Sequence, residues 1–306
     1  MTEGSTPTRC GFVALIGVPN AGKSTLLNQL VGAKVSIVSR KVQTTRTQIR
    51  GIAMKGQSQI IFVDTPGIFS PKRKLERAMV TSAWGGAADA DRVGVLVDVT
   101  HYDDESEEAL FDALGEVKQP KFLVLNKIDL LPAEKLLAIT AKLNERAKFD
   151  ATFMISALKG YGTDAILDYL EDKLPFGPWL YPEDEISDAP LRFLAAEITR
   201  EKIFERLHDE LPYRSTVETE QWTTMKNGDV RIEQTIYVER ESQRKIVLGK
   251  GGATIKAIGS AARKEIIEAA EANVHLFLFV KVRENWSEDP ERYREMGLEF
   301  PHEKKK

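Results

Sequence analysis

The stretch GVPNAGKST, residues 17–25, follows the apolar run Phe12-Val13-Ala14-Leu15-Ile16 and precedes Leu26-Leu27-Asn28-Gln29-Leu30, which reads as helix. A buried strand, a glycine-bounded loop and a helix in succession match G-x-x-x-x-G-K-[ST] in the setting the pattern needs. Gly17 and Gly22 let the main chain come close to oxygens and adopt φ angles that side chains resist. The amides of residues 20–24 then converge on a β-phosphate at a helix N-terminus, where partial positive charge favours an anion. Lys23 adds a full charge, and Ser24 offers a hydroxyl to Mg2+. Gly17, Val18, Pro19, Asn20, Ala21, Gly22, Lys23, Ser24 and Thr25 are therefore candidate nucleotide contacts.

Further buried runs, Gln59-Ile60-Ile61-Phe62-Val63, Val93-Gly94-Val95-Leu96-Val97, Lys121-Phe122-Leu123-Val124-Leu125 and Thr152-Phe153-Met154-Ile155, alternate with helix-like segments such as residues 133–148. This rhythm predicts an α/β domain with a doubly wound, mostly parallel sheet over residues 1–173. LPFGPWLYPEDEISDAP, residues 174–190, carries four prolines and an acidic cluster and reads as a linker. Residues 191–306 change rhythm to αββααβ, a smaller α+β domain. Residues 191–211 read as helix, residues 215–225 and 230–239 as strands around the hairpin signal Asn227-Gly228, residues 242–248 and 253–270 as helices, and residues 274–283 as a last strand.

A length of 306 residues with 42% hydrophobic content is enough for two cores. One cysteine, Cys10, rules out an internal disulfide framework and a multi-cysteine metal site. His208 and His275 have no metal-ligand companions at useful spacing. No apolar run approaches the roughly 18 residues of a membrane span, and the first residues lack a secretion-signal core, so the expected location is the cytoplasm. Lys304-Lys305-Lys306 reads as a solvated, frayed tail.

Two tetrapeptides narrow the nucleotide. Asp64-Thr65-Pro66-Gly67 ends a strand, which suits Asp64 to hold Mg2+ through water and the Gly67 amide to meet a γ-phosphate. Asn126-Lys127-Ile128-Asp129 ends another strand at the same edge. A carboxylate at Asp129 accepts from the ring N–H and exocyclic amine of guanine, whereas adenine presents an acceptor there. Such paired recognition rejects the wrong base by roughly 10⁴ to 10⁵. Lys127 lies along the base, Asn126 ties loops together, and Ser156-Ala157 supply a backbone amide for the guanine carbonyl. Ile68 follows Gly67 where Ras-like proteins carry a water-orienting glutamine, and its side chain neither donates nor accepts a hydrogen bond. Intrinsic hydrolysis is therefore expected to be slow.

In the second half, Gly249-Lys250-Gly251-Gly252 between two helices is a G-x-x-G loop of the kind that clamps a single-stranded nucleic-acid backbone. The whole chain has a net charge of -3, so affinity for nucleic acid must come from a local patch. Residues 240–264 supply one, with Arg240, Arg244, Lys245, Lys250, Lys256, Arg263 and Lys264 against Glu241 alone. Ile246, Val247, Ile255 and Ile258 read chiefly as core.

These motifs, in this order and over nearly the whole chain, resemble the bacterial ribosome-assembly GTPases, with a TrmE–Era–EngA-like G domain and a type II KH domain. The resemblance implies a GTP/GDP switch requiring Mg2+, with Lys23, Thr45 and Gly67 serving hydrolysis and Ser24, Thr45 and Asp64 serving the metal. KVQTTRTQIRGI resembles the first switch, whose threonine before arginine carries over to Thr45; Thr44 stays open as the alternative. Asn20 matches an asparagine that related GTPases use to hold K+. The implied RNA contacts are Arg244, Lys245, Ile246, Gly249, Lys250, Gly251, Gly252, Ile255 and Lys256, with such apolar residues flooring the groove under bases. The implied partners are single-stranded RNA, namely the 3′ end of 16S-type ribosomal RNA, and the small ribosomal subunit, but not DNA. A peripheral contact with the inner face of the cell membrane stays open. The rival readings are an RNA-binding adaptor with a structural nucleotide site, supported by Ile68, and a kinase, disfavoured by Asn126-Lys127-Ile128-Asp129.

Asp129→Asn exchanges one acceptor for a donor. It is expected to weaken GTP binding and to favour xanthosine triphosphate, whose ring presents a carbonyl at that position; equal affinity of the variant for the two nucleotides removes Asp129 from base reading.

Overall fold

The computed structural model describes residues 7–301, so the terminal lysine cluster lies outside the described residues. The chain forms two compact units. One takes in the chain up to Ser36, Thr45–Asp188 and the chain from Gly297; the other takes in Ile37–Thr44 and Ala189–Met296.

In the first unit, strands and helices follow one another as β1 (Arg9–Ile16), α1 (Lys23–Val31), β2 (Ile49–Lys55), β3 (Ser58–Asp64), α2 (Lys74–Asp89), β4 (Arg92–Asp98), α3 (Glu105–Ala113), β5 (Lys121–Asn126), α4 (Ala133–Arg146), β6 (Ala151–Met154) and α5 (Asp164–Glu171). The sheet order is β2-β3-β1-β4-β5-β6, all parallel except the β2 edge. Every residue of β3 is buried, as are Val13, Ala14, Leu15 and Ile16 of β1. Strands covered on both faces carry such continuous apolar runs. Register brings the carboxyl ends level, with Leu15 opposite Asp64, Asp98 opposite Asn126 and Leu125 opposite Met154. The loops that follow β1, β3, β4, β5 and β6 therefore open at one edge, where ligands of open α/β sheets bind. Strand β2 occupies part of the stretch read as a switch loop, and its mixed sequence is held in place by pairing with β3.

The proline-rich stretch is fastened to this unit. The Cys10 amide donates to the Pro175 carbonyl (3.2 Å) and the Ile52 amide to that of Ile186 (2.9 Å). Buried Gln59 accepts from the amides of Leu180 (2.8 Å) and Tyr181 (3.0 Å), and Arg50 pairs with Asp188 at 2.9 Å. Proline lacks an amide proton but keeps its carbonyl, so composition alone does not separate a free linker from a strap.

The second unit contains α6 (Leu191–Arg206), β7 (Ser215–Thr224), β8 (Val230–Val238), α7 (Glu241–Leu248), α8 (Ala253–Ala270), β9 (Val274–Val282) and α9 (Pro290–Glu295). Its sheet is β7-β8-β9, antiparallel then parallel. Helix α6 ends at Arg206, earlier than its apolar pattern predicts, and Pro212–Arg214 form a separate 3-10 turn. Ile203, Val247, Ile258, Ile236 and Val238 make one core cluster, and Ile198, Ile232, Ala262 and Ile266 belong to a second.

Candidate functional site

The phosphate loop closes against the base loop. Gly22 has φ +100°, and a Cβ on it would lie 2.2 Å from the Asn126 Nδ2. At Gly17 a Cβ would meet the Leu96 carbonyl at 2.5 Å, so both glycines are needed for close approach. Asn126 Nδ2 donates to the Ala21 carbonyl (2.8 Å), while its Oδ1 accepts from the amides of Lys127 (2.8 Å) and Ala157 (2.9 Å). One side chain thus joins three loops. The Ala157 amide, expected to meet a guanine carbonyl, is engaged with Asn126 here, and that of Ser156 with the Tyr161 carbonyl (3.0 Å).

Lys23 is 6% exposed, and its ammonium donates to the carbonyls of Gly17 and Val18, each at 3.0 Å. Burial pulls its pKa down to about 8, opposed by Asp64 and Glu107. The Ser24 hydroxyl donates to Asp64 Oδ2 at 2.6 Å and lies 2.9 Å from the Thr45 hydroxyl, which is itself 3.5 Å from Asp64. The Thr44 hydroxyl donates instead to the Lys41 carbonyl at 2.8 Å. Asp64 is fully buried, and its Oδ1 has no hydrogen-bond partner. Burial raises its pKa, with Ser24 and Lys23 opposing. Two hydroxyls and a carboxylate converging beside an orphaned buried oxygen fit a hard divalent cation with oxygen ligands. Among the described residues no three His, Cys, Asp or Glu side chains cluster as a metal site.

The Gly67 backbone packs on the phosphate loop, since a Cβ there would meet the Pro19 nitrogen at 2.8 Å. The Thr65 hydroxyl donates to the Leu15 carbonyl (2.8 Å), and the Ile68 amide to that of Gly17 (3.0 Å). The Ile68 side chain is buried. Asp129 pairs with Lys159 at 3.0 Å, and the neighbouring Ser156 side chain and then Lys159 hold its carboxyl below the usual range.

Sequence reasoning missed four contributors. Asp98, at the end of β4, pairs with the Lys127 ammonium. Burial works to raise its pKa, but hydrogen bonds from Lys127 and Thr100 outweigh this and hold it low. Its place at the same strand edge as Asp64 and Asn126 was a usable signal. Ser36 donates to Asp64 Oδ2 at 2.9 Å. Lys159 is the third. Glu107 on α3 is fully buried, and neither carboxylate oxygen has a partner.

In the second unit, Gly249, Gly251 and Gly252 all have positive φ, at +74°, +60° and +79°. A Cβ on Gly251 or Gly252 meets nothing within 4 Å, so the loop is open on its outer side. Lys245, Lys250 and Lys256 are exposed, and Ile255 packs partly on the core. Val247 and Ile258 are core as expected, but Ile246 is 57% exposed beside the loop, because its position on α7 turns away from the sheet. Arg244 is committed to the Val280 carbonyl (3.1 Å) and to Glu241 (2.9 Å).

Comparison with known proteins gives the same division. Residues 12–127 match the family model described as 50S ribosome-binding GTPase, and residues 210–287 match that of the KH domain. The chain is 68% identical to GTPase Era of Afipia carboxidovorans over 98% of each chain. It is 65% identical to GTPase Era of Rhizobium meliloti over 97% of this chain and 95% of the relative. Two crystal structures are similar at TM-score 0.89 and 37% identity, each covering 95% of this chain and 99% of the other. One is a single-residue variant of Aquifex aeolicus Era bound to GDP·AlF4−; the other is Era in complex with MgGDPNP and nucleotides 1506–1542 of 16S ribosomal RNA.

The buried Glu107 makes a pH prediction. Burial pushes its pKa from 4.5 up to about 8, with Lys23 opposing and Asp98 and Asp104 adding to the rise. Between those values the folded protein holds a proton that the unfolded chain has released, so this group's contribution to stability falls as pH rises. Glu107→Gln mimics the neutral acid and removes that loss. Its stability advantage over the parent, measured by urea unfolding, is expected to grow from about pH 5 to about pH 8; a pH-independent difference assigns Glu107 an ordinary pKa.

Proposed function

Because the chain belongs to the Era family of GTPases, we propose that it is a GTP-hydrolysing switch that grips the 3′ end of small-subunit ribosomal RNA during small-subunit assembly. The observation that carries the enzymatic part is the cluster of Ser24, Thr45 and Asp64 oxygens beside the phosphate loop. Ser24, Thr45 and Asp64 would hold Mg2+, which when bound supplies charge neutralisation on the β- and γ-phosphates. Lys23, already turned inward on two carbonyls, reaches the same phosphates, and the Gly67 amide meets the γ-phosphate. Loss of that phosphate frees the segments around Thr45 and Gly67. The Thr44 hydroxyl, bonded to Lys41, does not support a metal role for Thr44.

Asp129 reads guanine, Lys127 is aimed along the base by Asp98, and Asn126 holds the loops in register. We assign the GTPase domain to residues 1–173, the linker to 174–190 and the KH domain to 191–306. The RNA grip is supported by the open Gly249-Lys250-Gly251-Gly252 loop, the exposed cations Lys245, Lys250 and Lys256, and the exposed Ile246. A cytoplasmic place of action follows from the substrates, GTP and ribosomal RNA. No helix of the described residues is long and apolar enough to cross a membrane, and a peripheral membrane contact rests on the resemblance alone.

Turnover of GTP, measured with and without single-stranded RNA, tests the switch against the adaptor reading that the buried Ile68 favours; absence of turnover under both conditions establishes the adaptor. With no water-orienting glutamine, a K+ held by Asn20 would supply positive charge at the phosphates. Hydrolysis is therefore expected to be faster in K+ than in Na+ at equal ionic strength, with the difference lost in Asn20→Ala, and identical rates in the two salts remove the K+ site. For the RNA, Lys250→Ala is expected to weaken all single strands alike and to reduce the salt slope of binding by roughly 0.7. Gly251→Asp puts bulk and negative charge at the open face of the loop, so it should abolish RNA binding and spare GTP binding. Full RNA affinity in that variant makes the loop a mere turn.

A further inference from the structure

The base loop carries an ion pair outside the Asn126 tie. Within the first unit, the Lys159 ammonium lies 3.0 Å from Asp129 Oδ2, with the lysine side chain 51% exposed and the carboxylate 17%. Asp129 sits in a one-turn 3-10 helix, Ile128–Leu130, entered through Lys127 at φ +66°. Its main chain is fixed on both sides, since the Leu130 amide donates to the Lys127 carbonyl (3.0 Å) and the Ile128 amide to that of Ile155 (3.2 Å). The turn does not fix its carboxylate, because the last torsion of an aspartate has broad minima.

Lys159 reaches that carboxylate from a braced turn. The Ser156 amide donates to the Tyr161 carbonyl (3.0 Å), the Lys159 amide donates to the Ser156 carbonyl (3.1 Å), and the Thr163 hydroxyl closes on the Gly160 carbonyl (2.9 Å). Gly160 and Gly162 are left-handed at φ +73° and +72°, and a Cβ on Gly162 would lie 2.6 Å from the Met154 carbonyl. The Ser156 side chain stands beside the same carboxylate, yet its buried hydroxyl makes no hydrogen bond. An exposed ion pair between two free side chains contributes little, because ordering both costs entropy. Here both main chains are already held, so only the lysine stem and one carboxylate torsion remain to be ordered.

We propose that Lys159 is a positioning residue for base selectivity: held on Asp129 Oδ2, its ammonium fixes the rotation of the carboxylate so that both oxygens face the ring N–H and the exocyclic amine of guanine. The inference rests on the reading of Asp129 as the guanine acceptor. An ionised carboxylate offers about four lone-pair sites, so Oδ2 can accept from Lys159 and from the base together. Two parallel donors need both oxygens in the plane of the base, whereas a single donor is met by either oxygen at many rotations. The lysine therefore matters for guanine and little for hypoxanthine, which keeps the ring N–H and lacks the amine. A lysine that competed with the base would weaken guanine binding, and one that only closed the turn would affect both bases equally.

The test measures affinities for GDP and inosine diphosphate, with Mg2+, on the full chain. Lys159→Met is expected to lower the preference for GDP about fivefold, the upper scale of an exposed ion pair, with inosine diphosphate affinity kept within about twofold. Lys159→Arg keeps the charge and should retain most of the preference. Raising NaCl from about 0.1 M to about 1 M shortens the Debye length from about 10 Å to about 3 Å, so it should shrink the preference of the parent and leave that of Lys159→Met unchanged. Asp129→Ala should lose the preference altogether, and the Lys159→Met/Asp129→Ala double variant should lose no more. If Asp129→Ala does lose it, then an equal loss for both nucleotides, an unchanged preference or tighter GDP binding in Lys159→Met overturns the inference and leaves Asp129 as the base reader. Equal salt sensitivity in parent and Lys159→Met overturns it in the same way. If Asp129→Ala keeps the preference, base reading by Asp129 fails and the inference with it.

Discussion

The side chain of Asn126 holds the nucleotide site together. Its two polar atoms bond the phosphate loop at Ala21, the base loop at Lys127 and the last loop at Ala157. These bonds are short because Gly22 has no Cβ to push Asn126 away. The loops follow three different strands, β1, β5 and β6, and the Ile128 amide also donates to the Ile155 carbonyl at 3.2 Å, joining the last two. An amide buried at 2% exposure must satisfy both its donor and its acceptor, and here the three loops satisfy them. The level carboxyl ends of the parallel strands bring the loops near one another, and Asn126 makes their spacing definite.

Around this tie the fold keeps charges out of water. Lys23, Asp64 and Glu107 are all buried close to the phosphate loop. In a medium of low dielectric such groups interact strongly and are costly alone. Lys23 answers with two main-chain carbonyls and Asp64 with three hydroxyls, those of Ser24, Ser36 and Thr45. Glu107 has no such answer, and its pKa rises instead. In the proposed function, a triphosphate with its cation would meet groups that are already desolvated and gathered at one edge of the sheet.

The second unit solves a different problem with similar means. Its Gly249-Lys250-Gly251-Gly252 loop uses left-handed glycines and leaves the outer side bare, which is what the proposed grip on a sugar-phosphate backbone requires. Its α6 carries Arg200, Glu201 and Lys202, three consecutive charged residues that the fold buries. Each of the three is paired, and the pairing reaches both the stretch Ile37–Thr44 of the same unit and helix α8.

The alternation of buried runs and helices, the phosphate loop with its glycines, the strand-end tetrapeptides and the αββααβ order were legible in the sequence because each depends on residues adjacent along the chain. Hydrophobic periodicity, turn chemistry and motif spacing are local signals, and they placed the strand ends that carry Asp64 and Asn126. What is set by pairing across the chain was not legible. Strand β2 forms only because β3 offers it an edge, the proline-rich stretch is a strap only because Gln59 accepts from its amides and Ile52 donates to its Ile186 carbonyl, and Ile246 is exposed only because of how α7 lies on the sheet. The choice between Thr44 and Thr45 is of the same kind. Neighbouring threonines are alike as sequence, and the fold separates them by turning one hydroxyl to Lys41 and the other to Ser24 and Asp64, since satisfying buried polar groups is a property of the whole three-dimensional arrangement.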